Sequence, residues 1–220
     1  LDDWTPASAQ GLMAKANASA AWRFYVQTTG KIELDWSEDG TTWKGGQSTV
    51  APTVTDGAAL WIRATLDVNN GAGGYDLKFW TSSDGSSWTR LGATVTAAGV
   101  TSIAVTADDV YVGISSGAVI SGKVYRAMML NGIDGTTVLD VDTSLITSGA
   151  NTSFTTTTGQ TVTINRSTSG RKAVAVTAPC WLLGTDDYME VADNALLDFD
   201  ADDSFTVLAV VRQWATPTGY

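Results

Sequence analysis

Short apolar segments with a period of two recur along the whole 220-residue chain. In Ala21-Trp22-Arg23-Phe24-Tyr25-Val26-Gln27 and Lys31-Ile32-Glu33-Leu34-Asp35-Trp36 the side chains alternate, so Ile32, Leu34 and Trp36 share one strand face. The next segment puts Leu60, Ile62, Ala64, Leu66 and Val68 on one side. Further strands are expected near residues 75–82, 88–95, 110–114, 123–130, 138–141, 162–165, 188–191 and 205–212. Asp39-Gly40, Asn70-Gly71, Asp84-Gly85 and Asp134-Gly135 are turn signals at the spacing of a meander or Greek key. No window shows a sustained i, i+3, i+4 stripe. The pattern predicts an all-β chain, a two-sheet antiparallel sandwich with little or no helix.

Two stretches share the form W–(x)–S–x–D–G–x–x–W: Trp36 to Trp43 and Trp80 to Trp88. Each reads as a strand, an Asp-Gly hairpin and a second strand. Their tryptophans are either packing residues that close the hairpins or sugar-stacking platforms. Residues 143–170 are crowded with Ser, Thr and Gly, but Phe154, Val162 and Ile164 predict weakly ordered strands there, with a linker around 167–171.

Composition narrows the chemistry. The chain has no histidine and one cysteine, Cys180. That removes Ser-His-Asp and Cys-His catalysis, the usual zinc and iron ligand sets, and an intrachain disulfide. Cys180, beside Pro179 and Trp181, reads as a small buried apolar residue. Net charge is −10, from 13 Lys plus Arg against 23 Asp plus Glu, and no basic stripe offsets it. Nucleic acid is therefore not an expected partner. No apolar run approaches the ~20 residues of a membrane-spanning helix, so no membrane insertion is expected.

Tyr188-Met189-Glu190-Val191, then Asp193 to Phe199, then Ser204-Phe205-Thr206-Val207 resemble the opening of laminin-G-like, concanavalin A-like jelly rolls. Asp2-Asp3-Trp4-Thr5-Pro6, Trp61 to Asp67, Asn69 to Tyr75 and Gly122 to Ala127 are similar to jelly-roll repeats in minor tail proteins of actinobacterial phages. That likeness covers residues 1 to about 170. It implies a jelly roll over 1–170 lacking its opening strands, a linker at 171–183, and opening strands at 184–220. Those last strands belong to a second jelly roll or complete a sandwich in cis or in trans. The chain starts at Leu1 rather than Met and is expected to be a fragment of a longer tandem-repeat protein. The resemblance implies a structural, lectin-like virion protein, extracellular, without enzymatic activity. Its expected partners are other virion proteins or copies of itself, and host surface polysaccharide.

Candidate glycan-binding residues are Trp36, Trp43, Trp80 and Trp88 with Asp39 and Asp84. A glycan-binding module predicts that the exposed tryptophans cluster on one face; a structural spacer predicts a broad apolar or strand-edge interface instead. No cofactor is required, but the family often holds calcium at a rim, which makes Asp140, Asp142, Asp198 and Asp200 candidate ligands. An EF-hand is excluded, since its sixth and twelfth positions fall on Asp203 and Ala209. The alternative is enzymatic: Glu33, Asp35 and Glu38 form E-x-D-x-x-E, which resembles the catalytic strand of laminarinase-type glycosidases. A retaining mechanism needs two carboxyl groups about 5–5.5 Å apart. Glu33 and Asp35 share a strand face, but Glu38 has the opposite parity and would need a bulge.

Overall fold

A strand with one apolar face can bury it only by joining a sheet and laying that face on another layer. The computed structural model describes residues 1–148, 150–165, 174–175, 181–183, 188–199 and 203–212. The first strands are β1 (Gln10–Ala16), β2 (Ala20–Val26), β3 (Ile32–Ser37), β4 (Trp43–Gln47), β5 (Leu60–Asp67) and β6 (Gly74–Ser82). There follow β7 (Thr89–Arg90), β8 (Val95–Ala98), β9 (Val110–Val112), β10 (Ile114–Ser115), β11 (Ala118–Val119), β12 (Gly122–Asn131) and β13 (Thr136–Asp142). The last are β14 (Ser153–Thr155), β15 (Thr161–Asn165), β16 (Val174–Ala175), β17 (Trp181–Leu183), β18 (Tyr188–Val191) and β19 (Phe205–Arg212). Two 3₁₀ turns, at Thr143–Leu145 and Ala195–Leu197, are the only helical residues among those described.

An eight-stranded sheet runs β14-β15-β18-β9-β1-β2-β3-β4, and a nine-stranded sheet runs β16-β17-β12-β19-β5-β6-β7 with β13 on β12 and β8 on β6. Every described pairing is antiparallel. The inner faces meet in one core that holds Trp22, Phe24, Leu34 and Trp36 from one sheet and Ile62, Phe79, Phe205 and Val207 from the other. This is the all-β antiparallel sandwich that the alternation predicts.

The two C-terminal segments pair within this chain. β18 lies between β15 and β9 in the eight-stranded sheet, and β19 lies between β12 and β5 in the nine-stranded one. Of the expected linker, β16 and β17 are described, and β17 pairs with β12. The rest of it, including Cys180, lies outside the described residues. The expected strand at 88–95 is instead the short β7 and β8, parted near Gly92, whose φ of 72° no strand accommodates. β1, which sequence pattern does not announce, is buried over all seven of its residues. Its outer side is covered by the β10–β11 hairpin. That hairpin pairs only with itself and packs on β1 where Gly11 leaves room. A Cβ at Gly11 would fall on the Ser115 backbone nitrogen and the Ala118 carbonyl oxygen.

Candidate functional site

The outer face of the eight-stranded sheet carries a continuous row of one residue per strand. Ser153 faces Thr163, Thr163 faces Glu190, Glu190 faces Tyr111 and Tyr111 faces Ala14. From Ala14 the row continues to Arg23, then Asp35, then Gly45. At about 4.8 Å between strands it spans roughly 34 Å. Apart from Ala14 and Gly45 the row is polar, because its members are the outward partners of the alternation, the inward ones being spent in the core.

Near one end, Asp35 is buried on this outer face and accepts hydrogen bonds from Arg23 Nε at 2.8 Å and the Tyr25 hydroxyl at 2.7 Å. Glu33, two residues along, accepts from Gln27 Nε2 at 2.6 Å and Gln47 Nε2 at 2.7 Å. Burial pushes the Asp35 carboxyl up to about 6, and the charge of Glu33 adds to this against the pull of Tyr25 and Arg23. The Tyr25 phenol is raised too, by burial first and then by its bond to Asp35. Gly45 makes space for this cluster, since a Cβ there would fall on the Asp35 carboxylate. Over it, the Arg23 guanidinium lies 4.4 Å from the Trp43 ring centroid.

On the far side of β1, Tyr111 and Tyr188 meet edge to face at 5.7 Å. Asn165 Nδ2 donates to Glu190 at 2.7 Å and Asn17 Nδ2 to the Tyr111 hydroxyl at 3.2 Å. The Glu190 carboxyl is raised, first by burial and then by neighbouring Asp109. Between the two ends stands the β10–β11 hairpin. A cleft of about 330 Å³ is lined by the 16–20 turn, Gly40, Thr41, Trp43 and Ser116. A second, of about 250 Å³, lies against Arg23, Tyr25 and Ser115 to Ser116. A third, of about 130 Å³, lies against Asn17, Tyr111, Tyr188 and the hairpin tip.

The predicted tryptophans separate. Trp36 is fully buried, its indole donating to Thr101 Oγ1 at 2.7 Å, so it is a core residue and no platform. Trp43 stands on the outer face just described. Trp80 and Trp88 lie on the outer face of the other sheet, so the candidates do not gather on one face and the tryptophan cluster expected of a glycan-binding module is not formed. There Arg63 faces Trp80 and Trp80 faces Arg90 across the strands. Arg90 lies 4.8 Å over Trp80, while Arg63 lies 5.9 Å from Trp80 and 5.7 Å from Trp88. Trp61 meets Trp88 edge-on at 6.4 Å. These rings stack on arginines and on each other.

Asp39 and Asp84 are spent inside their turns. Asp39 Oδ1 accepts from the backbone N–H of Thr41 and Thr42 at 2.8 and 2.7 Å, and Asp84 Oδ1 from those of Ser86 and Ser87 at the same distances. Those bonds hold both carboxyls well below the usual carboxylate range.

Two of the four candidate calcium ligands, Asp140 and Asp198, already have cations. Asp140 is buried and takes both Nε and Nη2 of Arg126, at 2.7 and 2.6 Å. Asp198 pairs at 3.2 Å with the ammonium of Lys15, a side chain buried to 1 % exposure, which also pairs with Asp193 and donates to the Asp108 carbonyl at 2.9 Å. Asp142 caps a 3₁₀ turn by accepting from Ser144 N. Asp200 lies outside the described residues. Among the described residues no cluster of three or more acidic, His or Cys side chains is arranged to hold a metal.

The E-x-D-x-x-E residues do not converge. Glu38 accepts from Thr101, the same hydroxyl that takes the Trp36 indole, and pairs with Lys44 at 2.8 Å. Lys44 faces Trp36 across the strands, so Glu38 is tied to the core-side rim while Glu33 and Asp35 look outward. No bulge in β3 turns it back.

Pattern reasoning missed Tyr25, Tyr111, Tyr188 and the hairpin. The signal for the tyrosines was their off-phase position in alternating strands. No family model, no curated protein and no solved structure matches the chain.

Proposed function

We propose that this chain is a non-catalytic glycan-binding module, working in a tail-associated component of a phage virion and adhering to polysaccharide on the host surface. The observation that carries the glycan reading is the transverse row on the eight-stranded sheet. It sets the hydroxyls of Ser153 and Thr163 and the ring of Tyr111 along one face, with the amides of Asn17 and Asn165 bonded beside it and clefts along its middle, a mix that sugars need for hydrogen bonding and ring stacking. The virion setting is supported by the resemblance of residues 1–170 to tail-protein repeats. Its partners there are copies of itself or neighbouring virion proteins. Calcium is not needed, because Lys15 and Arg126 supply the positive charge that the rim carboxylates would otherwise seek.

Binding of the purified chain to a panel of bacterial cell-wall polysaccharides tests this, first with calcium and then with a chelator. Saturable binding that survives chelation is expected. A folded sample that binds no polymer would overturn the glycan reading, and loss of binding on chelation would overturn its independence from calcium.

A further inference from the structure

The β10–β11 hairpin stands on β1, midway along the row, with Tyr111 and Tyr188 on one side and Arg23 and Tyr25 on the other. Its tip, Ser116, is exposed and held at a φ of 48°. Ser116 lines three clefts at once. Two of them flank the hairpin along the row. The third leads off along the strand direction, toward the 16–20 turn and Trp43. Each contains an aromatic ring and at least one hydroxyl or amide group: Trp43 with Asn17, Ser19 and Thr41, Tyr25 with Ser115, and Tyr111 and Tyr188 with Asn17.

The chain has a net charge of −10, yet among the described residues no acidic side chain lines any of the three. Among the described lining residues the only cation is Arg23, already held by Asp35 and stacked on Trp43. A charged ligand would find no uncommitted counter-charge among the described lining residues. An uncharged polyhydroxylated one would find rings for its C–H faces and neutral groups for its hydroxyls. An unbranched chain laid along the row would fill the two flanking clefts and leave the Trp43 cleft empty.

Resting on the glycan-binding reading, we propose that the ligand is an uncharged, branched saccharide whose branch point sits over Ser116, with one arm in each cleft. The test is a set of matched polymers: amylopectin against amylose, galactomannan against linear mannan, and arabinogalactan against linear galactan, with polygalacturonate as the acidic member. The branched member of at least one pair is expected to bind roughly tenfold or more tighter than its linear counterpart, a difference of about 1.4 kcal/mol. Trp43→Ala and Tyr188→Ala, each checked for an unchanged melting transition, are both expected to shrink that gap. Equal binding within every pair, strongest binding to polygalacturonate, or an undiminished gap in both variants overturns the branched, neutral ligand and leaves the glycan-binding module standing. Failure to bind any polymer here or in the cell-wall panel overturns both.

Discussion

A carboxylate that touches a guanidinium is ordinarily pulled below its usual pKa, but Asp35 is pushed up to about 6. Its burial and the nearby charge of Glu33 outweigh the bonds from Tyr25 and Arg23. A group so raised holds its proton more tightly in the folded chain than in the unfolded one. It therefore favours the fold fully below its unfolded pKa near 3.8, and that advantage is lost as pH rises through about 6. Asp35→Asn keeps an acceptor for the Tyr25 hydroxyl and removes the titration. Urea denaturation across pH 4 to 7 should show the wild type losing stability relative to Asp35→Asn as pH rises. Glu190 titrates in the same sense in both proteins and cancels in the difference. Parallel pH curves would mean that Asp35 is not the group responsible.

Two hairpins show how an element converts a local motif into different surfaces. Aligned on S-x-D-G-x-x-W, Ser37 matches Ser82, Asp39 matches Asp84 and Trp43 matches Trp88, and in both turns the aspartate accepts from the serine hydroxyl and from the backbone N–H groups two and three residues on. The second copy has one extra residue between its first tryptophan and the turn. With a side-chain period of two, that residue reverses parity. Trp36 enters the core, whereas Trp80 points outward between Arg63 and Arg90. Arg63 is buried beside two indoles and paired with Asp134, a place that uses the flat guanidinium as well as its charge. Arg63→Lys retains the charge and loses the stacking. It is expected to lower stability by about 1 kcal/mol, measured by urea denaturation. An unchanged midpoint would show that the ladder contributes only charge.

At the scale of the molecule, the C-terminal strands lie inside both sheets. β19 separates β12 from β5 along its whole length, and Phe205 packs its ring 5.7 Å from Trp22 in the opposite sheet. Without β18 and β19 each sheet would be split, exposing four new strand edges and the core residues Phe205, Val207, Ala209 and Val211 would have covered. A chain ending at Asn165 should therefore lack a cooperative thermal transition and near-ultraviolet circular dichroism. Cooperative unfolding of that shortened chain would instead assign residues 188–212 to a separate unit.

Local alternation was enough to specify an all-β sandwich, because the period of two is written in consecutive residues such as Ile32, Leu34 and Trp36. The lack of histidine and the single cysteine rule out histidine-based triads and an intrachain disulfide from the sequence alone. β1 escaped because a strand covered on both sides has no alternation to read, and its cover is a hairpin about a hundred positions away. Still longer separation in sequence hid the pairing of Lys15 with Asp198, and separations of about a hundred positions or fewer hid the row that joins Ala14, Arg23 and Asp35 to Tyr111 and Glu190. A sequence states which faces of a strand differ. Which residues then stand side by side depends on strand order and register, and those are set by the packing of the whole chain.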